Sequence, residues 1–251
     1  MPDAYEFLGR WADRIVVISL ERARDRRERL RERLGGLAYE LFPATDKRGL
    51  DRGALVKEGV YDESRTRRAF RHTRDMTDGE IACAISHRRV YEAALRNGWE
   101  RTVIFEDDVV PRPDGLPLLP LALSQLPAGW DLCYLGYAKN EAPGWGDRAK
   151  RAAYVALAPL RLVRWRADEA RRLLPAPFSA NLRRAGLHDY AVAYAVSREG
   201  ARKLLEAQTP IALRADGLLG SLVVQGRLSA FLAEPRAFDQ DLVEAPSYIH
   251  G

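Results

Sequence analysis

The first 46 residues constrain the fold most, because they read as strand, helix and strand in immediate succession. RIVVISL, residues 14–20, is short, apolar and rich in β-branched side chains, the composition of a strand. RARDRRERLRERLGG follows as a helix. Leu30 and Leu34 mark one turn of its apolar face, and Gly35 and Gly36 stop it. AYELFPATDKRG then supplies a second strand and its turn. That order predicts a parallel βαβ unit and an α/β chain. The arginines of the helix read as a solvated face, and 22–33 is also where a contact with an anionic membrane is to be sought.

Farther along, KEGVYDESRTRRAFRHTRDMTD (57–78) keeps neither period and reads as a long polar loop. Its arginines 65, 67, 68, 71 and 74 would close over a ligand as a lid. GEIACAISHRRVYEAALRNG returns to helical spacing, with Thr77 or Asp78 as its cap and Gly98 at its end. VIFEDDV (103–109), WDLCYLGY (130–137), DYAVAYAVS (189–197) and RLSAFLAEP (227–235) are strand candidates, and YVALAPLRLVRW (154–165) would hold one or two more. Helices are expected in LLPLALSQL, REGARKLLEAQ and ALRADGLLGSLVVQG. The tail, FDQDLVEAPSYIHG, reads as irregular. No repeat or linker divides the chain, so 1–251 is expected to be a single domain, with 138–187 as an insertion or acceptor-side flap.

Net charge is +5, which suits acidic partners such as nucleotide phosphates or an anionic membrane without choosing among them. Nucleic acid is not expected, because no binding motif is present and the aromatics are not interleaved with the basic residues. The two cysteines, Cys83 and Cys133, lie in apolar surroundings and read as reduced thiols. Neither a secretory signal nor a membrane-spanning run is visible, so a cytoplasmic protein, peripheral at most on the inner membrane face, is expected.

VIFEDDV runs an apolar strand into Glu106, Asp107 and Asp108. Residues two apart on a strand share a face, so Glu106 and Asp108 would project together, with Asp107 opposite or turning into the loop. One reading is a solvated acidic turn. The other is a hard divalent ion, Mg²⁺ or Mn²⁺, completed by substrate phosphates at the carboxyl end of an open sheet.

The motifs together resemble glycosyltransferase family 25, the lipooligosaccharide galactosyltransferases and their collagen-modifying relatives. The resemblance rests on VVISLERARDR with Leu20, Arg22 and Arg26; on FPATD with Ala44 and Asp46; and on MTDGEIACAISH with Gly79, Glu80, Ile81, Cys83, Ser86 and His87. VIFEDDV, WDLCYLG, AYAVSREGARKLL, Asp216, Gln240 and residues 247–249 follow in the family's order. Ser19, Lys47 and Ala82 depart from its usual Asn, Gly and Gly.

The resemblance implies a GT-A-type, Rossmann-like mixed sheet flanked by helices. It also implies inverting transfer of a sugar, usually galactose, from a UDP-sugar with Mn²⁺ or Mg²⁺ as cofactor. The acceptor would be a glycan, glycolipid or other glycoconjugate. In that picture Asp108 and Glu106 hold the metal. Ser19, Leu20, Arg22, Arg26, Ala44, Asp46, Glu106, Asp107 and His87 surround the nucleotide sugar. Asp216 is the base that deprotonates the acceptor, or else a helix N-cap, and Glu80 and Asp189 stand in reserve. A non-catalytic relative that binds nucleotide or glycan as a scaffold is the alternative.

Overall fold

The computed structural model describes residues 3–70 and 75–241. Arg71 and Arg74 of the expected lid, and residues 247–249 of the tail, lie outside the described residues. The strands are β1 Arg14–Ser19, β2 Glu40–Pro43, β3 Arg101–Glu106, β4 Val109–Pro111, β5 Leu132–Ala138, β6 Ala176–Pro177, β7 Leu182–Arg184, β8 Asp189–Ser197, β9 Ala230–Ala233 and β10 Phe238–Gln240. The α-helices are α1 Ala4–Trp11, α2 Arg24–Arg33, α3 Arg52–Lys57, α4 Glu63–Phe70, α5 Asp78–Asn97, α6 Leu119–Ser124, α7 Trp145–Leu157, α8 Ala167–Arg171, α9 Arg198–Ala207 and α10 Ala215–Val224.

Eight strands form one mixed sheet in the order β2-β1-β3-β8-β5-β9-β7-β6. β1 runs parallel to both β2 and β3, so the expected βαβ unit is present with α2 as its crossover. β8 is antiparallel to β3 and β5, which makes the sheet mixed. Alternation along the strands builds two apolar layers. Ile15, Val17, Val103, Phe105, Cys133 and Leu135 pack on one face with Leu8, Leu30 and Leu123 of the flanking helices. Val16, Ile18, Ile104, Leu132, Tyr134 and Tyr194 pack on the other with Val90, Leu204 and Leu219. Burial on both faces explains why these segments read as unbroken apolar runs.

Three expectations fail. Residues 57–78 are not a loop where described. Asp51 caps α3 through its bond from the Ala54 N–H, and Asp62 accepts from Arg65 N at 2.9 Å as α4 begins. Apolar contacts of Tyr61 and Met76 with Ile81 hold this segment against α5. YVALAPLRLVRW holds no strand: α7 runs through it, with Tyr154 and Val155 packed on Ala170, Leu173 and Val224. In the tail, β10 pairs antiparallel with β4 and buries Phe238 edge-on against Phe105, 4.9 Å between ring centres. No helix among the described residues is long and apolar enough to cross a membrane.

Candidate functional site

β1, β2, β3 and β5 end, and β8 begins, on one edge of the sheet, and the polar residues singled out in the sequence gather there. β3 stops at Glu106; Asp107 and Asp108 form a tight turn into β4. Strand period therefore does not by itself put Asp108 on the face of Glu106, because the strand ends two residues before it. The three acids differ instead by their partners.

Asp107 accepts from Arg26 at 2.6 Å, and both side chains are nine-tenths buried. Arg26 also lies 3.7 Å from an oxygen of Asp108. Asp108 Oδ2 accepts from Gln240 Nε2 at 3.1 Å, while Asp108 Oδ1 is buried without a hydrogen-bond partner among the described residues. Burial, then the neighbouring Glu106 charge, push the Asp108 carboxyl up to about 7.

Glu106 faces α5. The Thr77–Glu80 capping box starts that helix, and Gly98, at φ 69°, ends it in the left-handed region that glycine tolerates. His87, fully buried on α5, has Nε2 3.2 Å from Glu106 Oε1 and Nδ1 2.8 Å from the Tyr194 hydroxyl, which meets the Tyr91 hydroxyl at 2.8 Å. Tyr194 and Tyr91 thus orient the ring from below. Cys83, one turn before His87, completes a Cys83–His87–Glu106 group whose ligand atoms lie within 4.8 Å of one another. Burial, then the charges of Glu106, Asp216, Asp108 and Glu80, push the Cys83 thiol well up, so the sulfur stays protonated.

Glu80 and Asp216 flank Arg214, at 3.7 Å each. One Glu80 oxygen accepts from Thr77 N at 2.8 Å in the capping box, so this carboxylate serves the helix start. Asp216 is not an N-cap: Arg214 occupies that position, and Asp216 Oδ1 accepts from Gly217 N at 2.7 Å in the first turn of α10. Asp189 is tied to Lys139 at 3.2 Å on the outer rim.

The ends of β1 and β2 make the other wall. The Ala44 N–H donates to Ser19 O at 3.0 Å, joining the two strand ends, and the half-buried Leu20 turns into α2 through Ala23 N, whose N–H donates to Leu20 O at 3.0 Å. Arg22 donates to Asp46 at 2.7 Å. The hydrogen bonds from Arg22 and then Arg48 hold the Asp46 carboxyl well below the usual range. Buried Ser19 is held by Arg27 at 3.1 Å, and Thr45 N donates to Ser86 Oγ at 2.9 Å. Of the expected lid, Arg67 pairs with Asp75 at 2.8 Å and Arg68 with Ser64 at 3.0 Å.

Cys83, Tyr194, Arg214 and Gln240 entered the sequence reading without a role at the site. The four-residue spacing of Cys83 and His87 is a signal that could have been used, because it puts both on one helix face. Gln240 carries no such signal, lying 132 residues from Asp108.

Asp108 Oδ1 and the Glu106 carboxylate fit a hard divalent ion, which takes oxygen donors. The sulfur and imidazole beside Glu106 add softer donors.

Residues 12–127 match the model "Glycosyltransferase family 25 (LPS biosynthesis protein)". A "Glycosyltransferase 25 family member" of Drosophila melanogaster is 30% identical over 200 residues, covering 78% of this chain and 28% of that protein. The human "Inactive glycosyltransferase 25 family member 3" is 29% identical, covering 78% and 29%. "Procollagen galactosyltransferase 1-A" of Xenopus laevis is 25% identical, covering 83% and 30%. The chain thus spans under a third of the length of the curated relatives it matches. Glucosyl-3-phosphoglycerate synthase from Mycobacterium tuberculosis, solved with Mn²⁺ and UDP-glucose, aligns over 97% of this chain and 75% of its own, with TM-score 0.36 and 18% identity.

Proposed function

We propose, from the match of residues 12–127 to the glycosyltransferase family 25 model, that the chain transfers a sugar from a UDP-sugar to a glycan or glycolipid hydroxyl. The observation that carries the proposal is Asp108. Its unpartnered buried oxygen sits beside Glu106 at the carboxyl end of β3, where open α/β sheets bind ligands. Galactose as the donor sugar is supported by the Xenopus relative's name.

Glu106 and Asp108 would hold Mn²⁺ or Mg²⁺. When bound, the ion supplies positive charge to the departing nucleoside diphosphate. Arg26 neutralises Asp107 and so keeps the third acid out of the ion's reach. His87, oriented by Tyr194, fixes the Glu106 carboxylate. Ser19, Leu20, Ala44 and the Arg22–Asp46 pair line the nucleoside side of the strand ends. Asp216 takes the proton of the acceptor hydroxyl, a role worth roughly 10²–10⁴-fold in rate. Its anchoring by Gly217 N, and the Arg214 that it shares with Glu80 of α5, support that assignment. Inversion follows from direct displacement with one base.

Asp216→Asn tests the chemistry separately from binding. UDP affinity should stay within about twofold, while transfer and slow UDP-sugar hydrolysis fall by at least 10²-fold. Unimpaired turnover removes Asp216 as the base. Intact UDP binding with no turnover in the unmodified chain selects the scaffold reading, which the inactive human relative keeps in view.

A further inference from the structure

Helix α7 has two apolar faces, and the described residues pack on one of them. Tyr154 and Val155 pack inward on Ala170, Leu173 and Val224. On the opposite side Trp145, Ala149, Ala152 and Ala156 recur at helical spacing and stand exposed, continued past the helix end by Leu160 and Leu162. Trp145 is 86% exposed, Leu160 66% and Leu162 70%. A solvent-facing helix normally keeps its polar residues outward, so this stripe is a contact surface without a partner among the described residues.

Charge identifies the partner. Residues 145–166 contain six basic side chains and one acid, Asp147, a net +5 equal to that of the whole chain, so the remainder of the chain is neutral. Arg148 and Lys150 are exposed on the same helix, and Arg161 and Arg164 are exposed and next to the leucines in sequence, with Lys150 over the Tyr154 ring and Arg164 over the Trp165 ring. Tryptophan and leucine at the ends of a stripe edged by arginine and lysine fit the boundary between acyl chains and anionic headgroups. A second copy of this chain fits poorly, because a symmetric contact through this face would set +5 against +5.

The expected membrane site on α2 fails by comparison. There Arg26 is buried on Asp107, Arg27 holds Ser19, Arg33 pairs with Asp241 at 2.5 Å, and Asp25, Glu28 and Glu32 offset the rest. The α7 segment also leaves the sheet after β5, whose last residue, Ala138, pairs with Asp189 at the strand ends that carry Glu106, and the chain re-enters the sheet at β6.

We propose that the α7 segment, through Trp145, Leu160, Leu162 and the basic residues around them, docks the protein on an anionic lipid surface. Docking there sets the sheet edge that carries the acidic site beside the bilayer, where a lipid-linked acceptor would lie. The docking itself does not depend on sugar transfer.

Co-sedimentation with vesicles of phosphatidylcholine alone, or with one-third phosphatidylglycerol, tests this at low and high salt. The protein should bind the anionic vesicles at least ~10-fold more tightly than the neutral ones, and salt should weaken the binding. Trp145→Ser with Leu160→Ser and Leu162→Ser should lose at least ~10-fold, as should Arg148→Gln with Lys150→Gln and Arg161→Gln. Because these side chains are exposed, both variants should keep the melting temperature and the UDP affinity of the parent. Failure of the parent to bind anionic vesicles overturns the proposal, as does unchanged binding by the triple serine variant. Self-association by ultracentrifugation that this variant abolishes would assign the face to a second copy instead.

Discussion

Arg26 decides which of three adjacent acids is available. Its guanidinium and Asp107 are both nine-tenths buried, so removing one partner leaves the other charged and desolvated. Arg26→Met should therefore cost about 3–5 kcal/mol in urea unfolding at pH 7.5, and Asp107→Asn in the same chain should recover part of it. Asp108 behaves oppositely. In the unfolded chain it ionises near 4, while the native carboxyl keeps its proton to about 7. Native stability thus falls as pH rises between those values, and the loss is complete above 7. Metal-free Asp108→Asn should melt several degrees higher than the parent at pH 8 and no higher at pH 4, on a scale of ~2–4 °C per kcal/mol for a chain of this size.

The identity of the acidic cluster was legible in VIFEDDV, and its internal division was not. The division depends on Arg26, His87 and Gln240, which arrive from 81, 19 and 132 residues away. The wrong step was local: period two was extended past Glu106, where the ladder with β1 ends.

Among the elements, those with a strong apolar period were readable because burial alone specifies them. β1, β3, β5 and β8 alternate between two packed layers, and α5 carries its own cap and stop. Residues 57–70 misread as a loop because α3 and α4 are short and held by capping aspartates and the small Tyr61–Met76–Ile81 cluster. Residues 154–165 misread as strand because their apolar residues include the exposed outer side of α7, which inflates the count without indicating burial.

The base of that segment carries a pH-sensitive joint. Gly186 N–H donates to His188 Nε2 at 3.1 Å, so Nδ1 carries the proton and donates to Lys139 O at 2.8 Å. Burial pushes the ring down to about 4, against an ordinary value near 6.5. A depressed base of this kind supports the fold above 6.5 and loses that support as pH falls toward 4. Up to about 3 kcal/mol should disappear over that window. His188→Gln, which cannot titrate, should flatten the dependence of unfolding free energy on pH between 6.5 and 4. An equal slope in both proteins would place the acid sensitivity elsewhere.

At the scale of the whole molecule, chain order puts parallel β1, β2 and β3 beside the antiparallel β8, so side chains from α2, α5, α10 and the tail strand converge on one edge. The N-terminal half of that convergence was legible as a βαβ unit followed by a helix and an acidic strand. The α10 contribution entered only through the family resemblance that singled out Asp216, and the β10 contact with Asp108 was not foreseen, because nothing local says which strand end a distant element will reach. The family match, over 12–127, falls on the same half.

The central claim is that Asp108 and Glu106 form a divalent-ion site for a nucleoside diphosphate. Calorimetric titration of UDP, with Mn²⁺ and again in EDTA, tests it most directly when run on the parent chain and on Asp108→Asn. Binding by the parent with Mn²⁺, at least ~10-fold weakened both by EDTA and by the substitution, is expected. Equal affinity in all conditions would contradict the assignment of the acidic strand end as the metal site.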